Sequence, residues 1–253
     1  MNNLIHSEWY KLRMDPSFRT LILIIMGLSL FWPLFQYFDH IADGEPQATG
    51  IEMFMDAISG NPNIYKIAVC VLAGFFISSE YSTGVMKSIA SSGNRRGRIF
   101  TAKLLVYSLG AVILALIFPV INMIVSTLFS GFGELPGEAG FIYVIRTVGL
   151  TILCVTALAS IATLFATLMA ESGKTIAITI VLFLSIDLLF GIVGQYIPFI
   201  RNLYEYTVFK QLYDVGTVAP EGGQLLRMIG VPVMTFACFG FIGAWAYRRK
   251  EIK

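Results

Sequence analysis

Charge is scarce in this sequence, and what there is lies between long apolar runs. Only 13% of its 253 residues are Asp, Glu, Lys or Arg, against 56% hydrophobic ones, and the mean hydropathy is +0.74. An ordinary soluble domain carries about 25% charged residues, so that class is excluded. Histidine occurs twice, at His6 and His40, and cysteine three times, at Cys70, Cys154 and Cys238. Each cysteine stands alone in an apolar run, with no CxxC and no even set, so all three read as small buried hydrophobes. No metal cluster and no Ser–His pair can be assembled from these residues, and no catalytic group or bound cofactor is expected in the chain. Barrel-type alternation is missing too, which leaves helices as the only way to satisfy this backbone in lipid.

What is present is hydrophobic length. A bilayer core of roughly 30 Å needs about 20 apolar residues of helix. Six runs qualify, at residues 18–38, 62–79, 104–129, 141–169, 175–196 and 228–247. The second is the weakest, because Lys66 interrupts it near one end and is expected to snorkel toward the headgroups. The first is too long for a signal-peptide core and lacks a small-residue cleavage site, so it is expected to be retained. The expected architecture is all-α: one polytopic membrane domain over residues 1–253.

Basic residues set the orientation. Lys11, Arg13 and Arg19 lie around the start of the first run, Lys87, Arg95, Arg96, Arg98 and Lys103 between the second and third, Lys174 between the fourth and fifth, and Arg248, Arg249, Lys250 and Lys253 after the sixth. With six spans, 13 of the 18 Lys and Arg therefore share one side, while Asp39, Asp43, Glu45, Glu52, Asp56, Glu134 and Glu138 lie on the other. The basic side is expected to be cytoplasmic, with both termini inside. Gly173-Lys174-Thr175 imitates the tail of a phosphate-binding loop, but the glycine required five residues earlier is Leu168, and the flanks are membrane spans. No ATP binding is expected there.

The stretch "SSEYSTGVMKSIASSGNRRGR", residues 78–98, is polar and basic between two spans. Glu80 ends the second span, and Ser82 or Thr83 is placed to cap a new helix over residues 82–92. Val85, Met86, Ile89 and Ala90 share one helical face, with Lys87, Ser88 and Ser91 elsewhere, and Gly93-Asn94 is a stop. A helix this short is unstable alone, so its apolar face needs cover, which a cytoplasmic partner can supply.

With its continuation into "IFTAK", this stretch resembles the loop after the second span in type-2 permeases of ATP-binding-cassette exporters, the ABC-2 family. Glu80, Gly84, Gly93, Arg95 or Arg96, and Lys103 carry the resemblance. The six spans and the N-terminal helix extend it over the whole chain. Permeases of bacitracin and lantibiotic resistance, and peptide exporters of Gram-positive bacteria, are the nearest in character. The resemblance implies an export pathway between two permease copies, identical or related, in a bacterial plasma membrane. It implies that ATP and Mg are handled by two separate ATPase subunits, and that the 82–92 helix couples them to the spans through Glu80, Gly84, Val85, Met86, Ile89, Arg95 and Arg96. The cargo would be a peptide, an antibiotic or another amphipathic molecule. Membrane lipid is an expected partner and nucleic acid is not. A stand-alone secondary transporter or channel is the alternative, and such proteins usually show several intramembrane ionisable groups or matched broken helices.

Other segments fit a permease. Residues 1–15 place Leu4, Ile5, Trp9 and Leu12 on one face and Glu8, Lys11 and Arg13 elsewhere, as in an interfacial helix, with Asp15-Pro16 starting the first span. Residues 195–227 are too aromatic for a free loop, and Ile200, Leu203, Tyr204, Val208 and Leu212 follow helical spacing, so short outer helices are expected. Small residues on the fourth run (Ala159, Ala162, Thr163, Ala166) and the sixth (Ala237, Gly240, Gly243, Ala244) allow close helix approach, within the chain or at a dimer seam. Asp187 is the only acidic side chain well inside a run, so it must find a partner or line a wet cavity, and Arg146 on the preceding span is the expected partner.

Overall fold

The computed structural model describes residues 2–44, 46–60, 62–86, 89 and 94–250, and among them every regular element is helical. In chain order these are α1 (Asn2–Met14), α2 (Pro16–Asp43), α3 (Gly50–Ser59), α4 (Pro62–Ser82), α5 (Arg96–Ser130), α6 (Gly140–Met169), α7 (Ser172–Tyr196), α8 (Pro198–Glu205), α9 (Val208–Asp214) and α10 (Gly222–Arg249). Six of them, α2, α4, α5, α6, α7 and α10, are long and apolar enough to cross a membrane. The chain is an all-α, multi-pass membrane protein. Six crossings bring the two chain ends to the same face, here the terminal face.

The local chemistry explains most boundaries. Asp15 caps α2, its Oδ1 accepting from the Ser17 and Phe18 amides at 2.7 and 3.2 Å, with Pro16 in the first turn where no amide is needed. The spans are longer than the apolar runs alone indicate. α2 continues to Asp43 before Gly44 stops it at φ +70°, and α5 begins at Arg96, two turns before its apolar run.

α3 was not expected. Thr49 and Glu52 start it as a capping box, the Glu52 carboxylate accepting from both the amide and the hydroxyl of Thr49 at 2.8 Å. Ile51, Met53, Phe54, Ala57 and Ile58 are then buried against the bundle, chiefly on α5. Residues of α3, between the first two spans, therefore form part of the core. Tyr65 at the start of α4 donates to the Ala57 carbonyl at 2.7 Å and fixes the turn between the two helices.

α6 is the buried centre of the bundle. Cys154, Val155, Leu158, Ala159, Ala162 and Ala166 are closed to solvent, and its contact with α10 is the most extensive between any two helices. The small residues of the fourth span thus serve packing inside this chain. α4 widens to a π-helical turn at Ala73–Ser78, where it presses on α7. A Cβ on Gly74 would stand 2.3 Å from the Ile176 side chain, so this approach requires glycine. α2, α7 and α10 turn most of their apolar surface outward, and Cys238 on α10 is exposed rather than buried.

Candidate functional site

Two clusters of buried charge sit at opposite ends of the bundle. At the terminal face, α1 brings Glu8 and Lys11 to α4 and α5. Lys11 Nζ lies 2.9 Å from Glu8 Oε1 and 3.2 Å from Glu80 Oε1, and Lys103 Nζ lies 3.1 Å from Glu8 Oε2 and 2.5 Å from Glu80 Oε2. Each lysine bridges both glutamates, closing a ring of two cations and two carboxylates. Glu8 and Lys103 are each 3% exposed. Burial acts to raise the Glu8 pKa, but Lys103 and Lys11 outweigh it and hold the carboxyl below its ordinary value. Burial acts to lower the Lys11 pKa, and Glu80 and Glu8 reverse it, leaving the ammonium raised. Beside the ring, Leu12 is wholly buried and packs on α5 at Gly110. α1 is therefore clamped into the bundle on its Glu8 face. In the sequence Glu8 and Lys11 lie off the apolar face of α1 and Lys103 carries the family resemblance; their meeting with Glu80 is not legible there.

Of the residues expected in the coupling surface, Glu80 is buried between its two lysines. The Ser82 and Thr83 hydroxyls both donate back to the Ser79 carbonyl, at 3.0 and 2.8 Å, and Gly84 at φ +75° follows the end of α4. Met86 is fully buried in a small cluster with Ile99, Phe100, Leu104 and Tyr247, and Ile89 packs partly against it. The cover that the apolar face needed comes, for Met86, from α5 and α10 of the same chain. Val85 remains 42% exposed. Lys87, Ser88, Ala90, Ser91 and Gly93 lie outside the described residues, so the 82–92 helix is seen only at Val85, Met86 and Ile89. Arg95 and Arg96 are exposed, and Arg96 Nη1 donates to the carbonyls of Arg248 and Lys250 at 3.1 and 2.9 Å.

The second cluster lies toward the opposite end. Asp187 on α7 pairs with Lys66 on α4 and not with Arg146. Tyr204 of α8 and Tyr213 of α9 donate to the Asp187 carboxylate at 2.9 and 3.0 Å. The rings of Tyr213 and Phe209 lie 4.9 and 5.7 Å from the Lys66 ammonium, close enough for cation–π attraction. Lys66 is completely buried, so it turns inward instead of snorkelling. Arg146 pairs elsewhere. Its Nη2 reaches Glu138 Oε2 at 2.8 Å and the Thr217 carbonyl at 2.8 Å. The Arg146 hydrogen bonds hold the Glu138 carboxyl below its ordinary value.

Sequence reading missed Lys66, Tyr204 and Tyr213 as partners of Asp187. The available signal was a second intramembrane charge of opposite sign, discounted because it stood near the end of its run. The short helices expected between residues 195 and 227 are present as α8 and α9, with a break at Tyr206-Thr207. That break is what lets Tyr204 and Tyr213 converge on one carboxylate.

Among the described residues no group of three His, Cys, Asp or Glu side chains could hold a metal. Gly173-Lys174-Thr175 forms the first turn of α7 and not a phosphate cradle. Lys174 pairs with Glu171 at 2.6 Å on the surface, and the Thr175 hydroxyl shares a 2.7 Å hydrogen bond with buried Ser78. Lys174→Ala should therefore leave any nucleotide binding by the purified protein unchanged; a loss of nucleotide binding in that variant would restore the phosphate-loop reading.

No curated protein matches the chain. Residues 4–210, from the clamped α1 into the start of α9, match the family described as ABC-2 family transporter protein. The chain belongs to the ABC-2 transporter family, as one of its membrane components.

Proposed function

We propose that this chain is the permease subunit of an ATP-driven exporter in a bacterial plasma membrane. The observation that carries the reading is the family match across residues 4–210. In this reading the terminal face is cytoplasmic, in keeping with the basic residues gathered there. Two separate ATPase subunits bind that face and hydrolyse ATP. The cargo, a peptide, antibiotic or other amphipathic molecule, passes between this chain and a second permease, identical or related. The outward apolar surfaces of α2, α7 and α10 offer area for the second permease and for lipid. Resistance to bacitracin or a lantibiotic is the first cargo class to test. Asp187, 17% exposed at its side chain, is the candidate pathway residue.

Val85 is the apolar side chain beside Gly84 that this chain leaves open, so it is the docking point for an ATPase subunit. Val85→Asp should weaken copurification of the ATPase and abolish cargo-stimulated hydrolysis, while the permease keeps its own melting temperature. Met86→Asp should instead destabilise the permease itself, by placing a charge in the Ile99–Phe100–Tyr247 cluster. Full ATPase association and transport by Val85→Asp would remove the docking role.

A further inference from the structure

The seam between α5 and α10 has a basic mouth and an apolar floor. At the terminal face, Arg95, Arg96 and Arg98 of the third span and Arg248 of the sixth line an open cleft with Gly97 and Ala244. Gly97 admits the Arg248 side chain against the first turn of α5, since a Cβ there would stand 2.8 Å from Arg248 Nη2. Among the described residues no carboxylate lies within ion-pair distance of these four arginines, and the two buried glutamates of this face are taken by Lys11 and Lys103.

Below the mouth the same two helices, with Ile152, Leu153 and Thr156 of α6, form an apolar groove. Leu105 and Leu109 line it from α5, and Pro232, Val233 and Phe236 from α10. On α5, Arg98, Thr101, Leu105 and Leu109 follow helical spacing down one face, so the surface passes from guanidinium to hydroxyl to hydrocarbon within three turns. On α10, Arg248, Ala244 and Phe241 make the same passage, with Phe241 74% exposed. Trp245 gives the depth. It stands half-exposed one turn inside Arg248, with the Arg249 guanidinium 4.2 Å above its ring, the arrangement of an aromatic belt at headgroup level.

A cationic mouth at headgroup depth above a hydrocarbon groove matches one kind of molecule. We propose that the α5–α10 seam binds an anionic phospholipid of the leaflet at the terminal face. Arg98 and Arg248, helped by Arg95, take the headgroup phosphate, and an acyl chain lies along Leu105, Leu109 and Phe236. A bound lipid would neutralise repulsion between the ends of the third and sixth spans and brace the end of α10 against α5.

The test uses the purified protein in discs of dioleoyl phosphatidylcholine with or without dioleoyl phosphatidylglycerol, read by retained lipid in native mass spectrometry and by melting temperature. The wild type should retain phosphatidylglycerol over phosphatidylcholine and melt higher in its presence. Arg98→Gln with Arg248→Gln should reduce that preference about 30-fold, two basic contacts being lost, while Lys174→Gln on the same face should not change it. Leu109→Trp, which keeps every arginine and fills the groove, should weaken retention of the dioleoyl lipid but not of dihexanoyl phosphatidylglycerol. Unchanged preference in the double arginine variant would overturn the proposal. So would a full melting shift from inorganic phosphate alone, which would make the mouth a free-anion site. Loss of ATPase association with lipid preference intact would assign the arginines to a protein contact instead.

Discussion

Asp187→Asn should destabilise the protein by about 3–5 kcal/mol, because it strands a lysine that the bundle buries completely. Lys66→Met should cost less. The Asp187 carboxylate it leaves behind keeps two tyrosine donors, at 2.9 and 3.0 Å, and is partly open at 17%. Asp187→Leu should be worse than Asp187→Asn, since an amide oxygen can still accept from Tyr204 and Tyr213 and a leucine cannot. Lys66→Met combined with Asp187→Asn should recover most of the loss, because no unpaired charge then remains. The measurement is reversible unfolding of all four variants in one detergent. Strict additivity of the two single losses would mean that the pair is not coupled. Export adds a separate reading: if Asp187→Asn folds as well as the wild type yet alters transport, the carboxylate lines the pathway.

That pair also shows where sequence reading stops. Span number and approximate limits were legible because hydropathy is a one-dimensional property, and each span satisfies its own backbone. Which spans touch is not such a property. Arg146 was chosen for Asp187 on the premise that consecutive antiparallel helices are neighbours, and it lies one span away in sequence. In the fold, α7 packs more extensively on α4 than on α6, through the close approach at Gly74, and this brings Lys66 to Asp187 across 121 residues. The cover of Met86 was hidden for the same reason, since Ile99, Phe100 and Tyr247 come from two other helices. α3 is a different case. Its capping box, Thr49 with Glu52, and its apolar spacing are local signals, but a search for span-length apolar runs passes over so short a helix. The cap of α2 needed no tertiary information and was read correctly from Asp15-Pro16.

Lys103→Met should produce the second large effect, at the opposite end of the bundle. It leaves Glu8 and Glu80 sharing only Lys11, itself about one-third exposed at its side chain, and two carboxylates in a low-dielectric site repel one another. A loss of about 3–5 kcal/mol near neutral pH is expected. The pH dependence separates this charge effect from lost packing. In the wild type the Glu8 pKa is depressed, so its stabilising contribution is present above the ordinary carboxylate value and is lost as pH falls through the depressed one. In Lys103→Met one of the two cations that outweigh burial is gone, so burial should carry the Glu8 pKa above its unfolded value. The variant then becomes less unstable as protonation removes the repulsion. The melting gap between wild type and Lys103→Met should therefore narrow between about pH 7 and pH 4. Glu80→Gln added to Lys103→Met should close part of the gap at pH 7, by removing one of the two repelling charges. A gap independent of pH would mean that Lys103 contributes only the packing of its stem, and the ring would not be what clamps α1 to the spans. If the gap narrows as expected, cleavage of α1 by protease should be fast in Lys103→Met at pH 7 and slower once Glu80→Gln is added, because the same repulsion that lowers stability also releases α1 from α4 and α5.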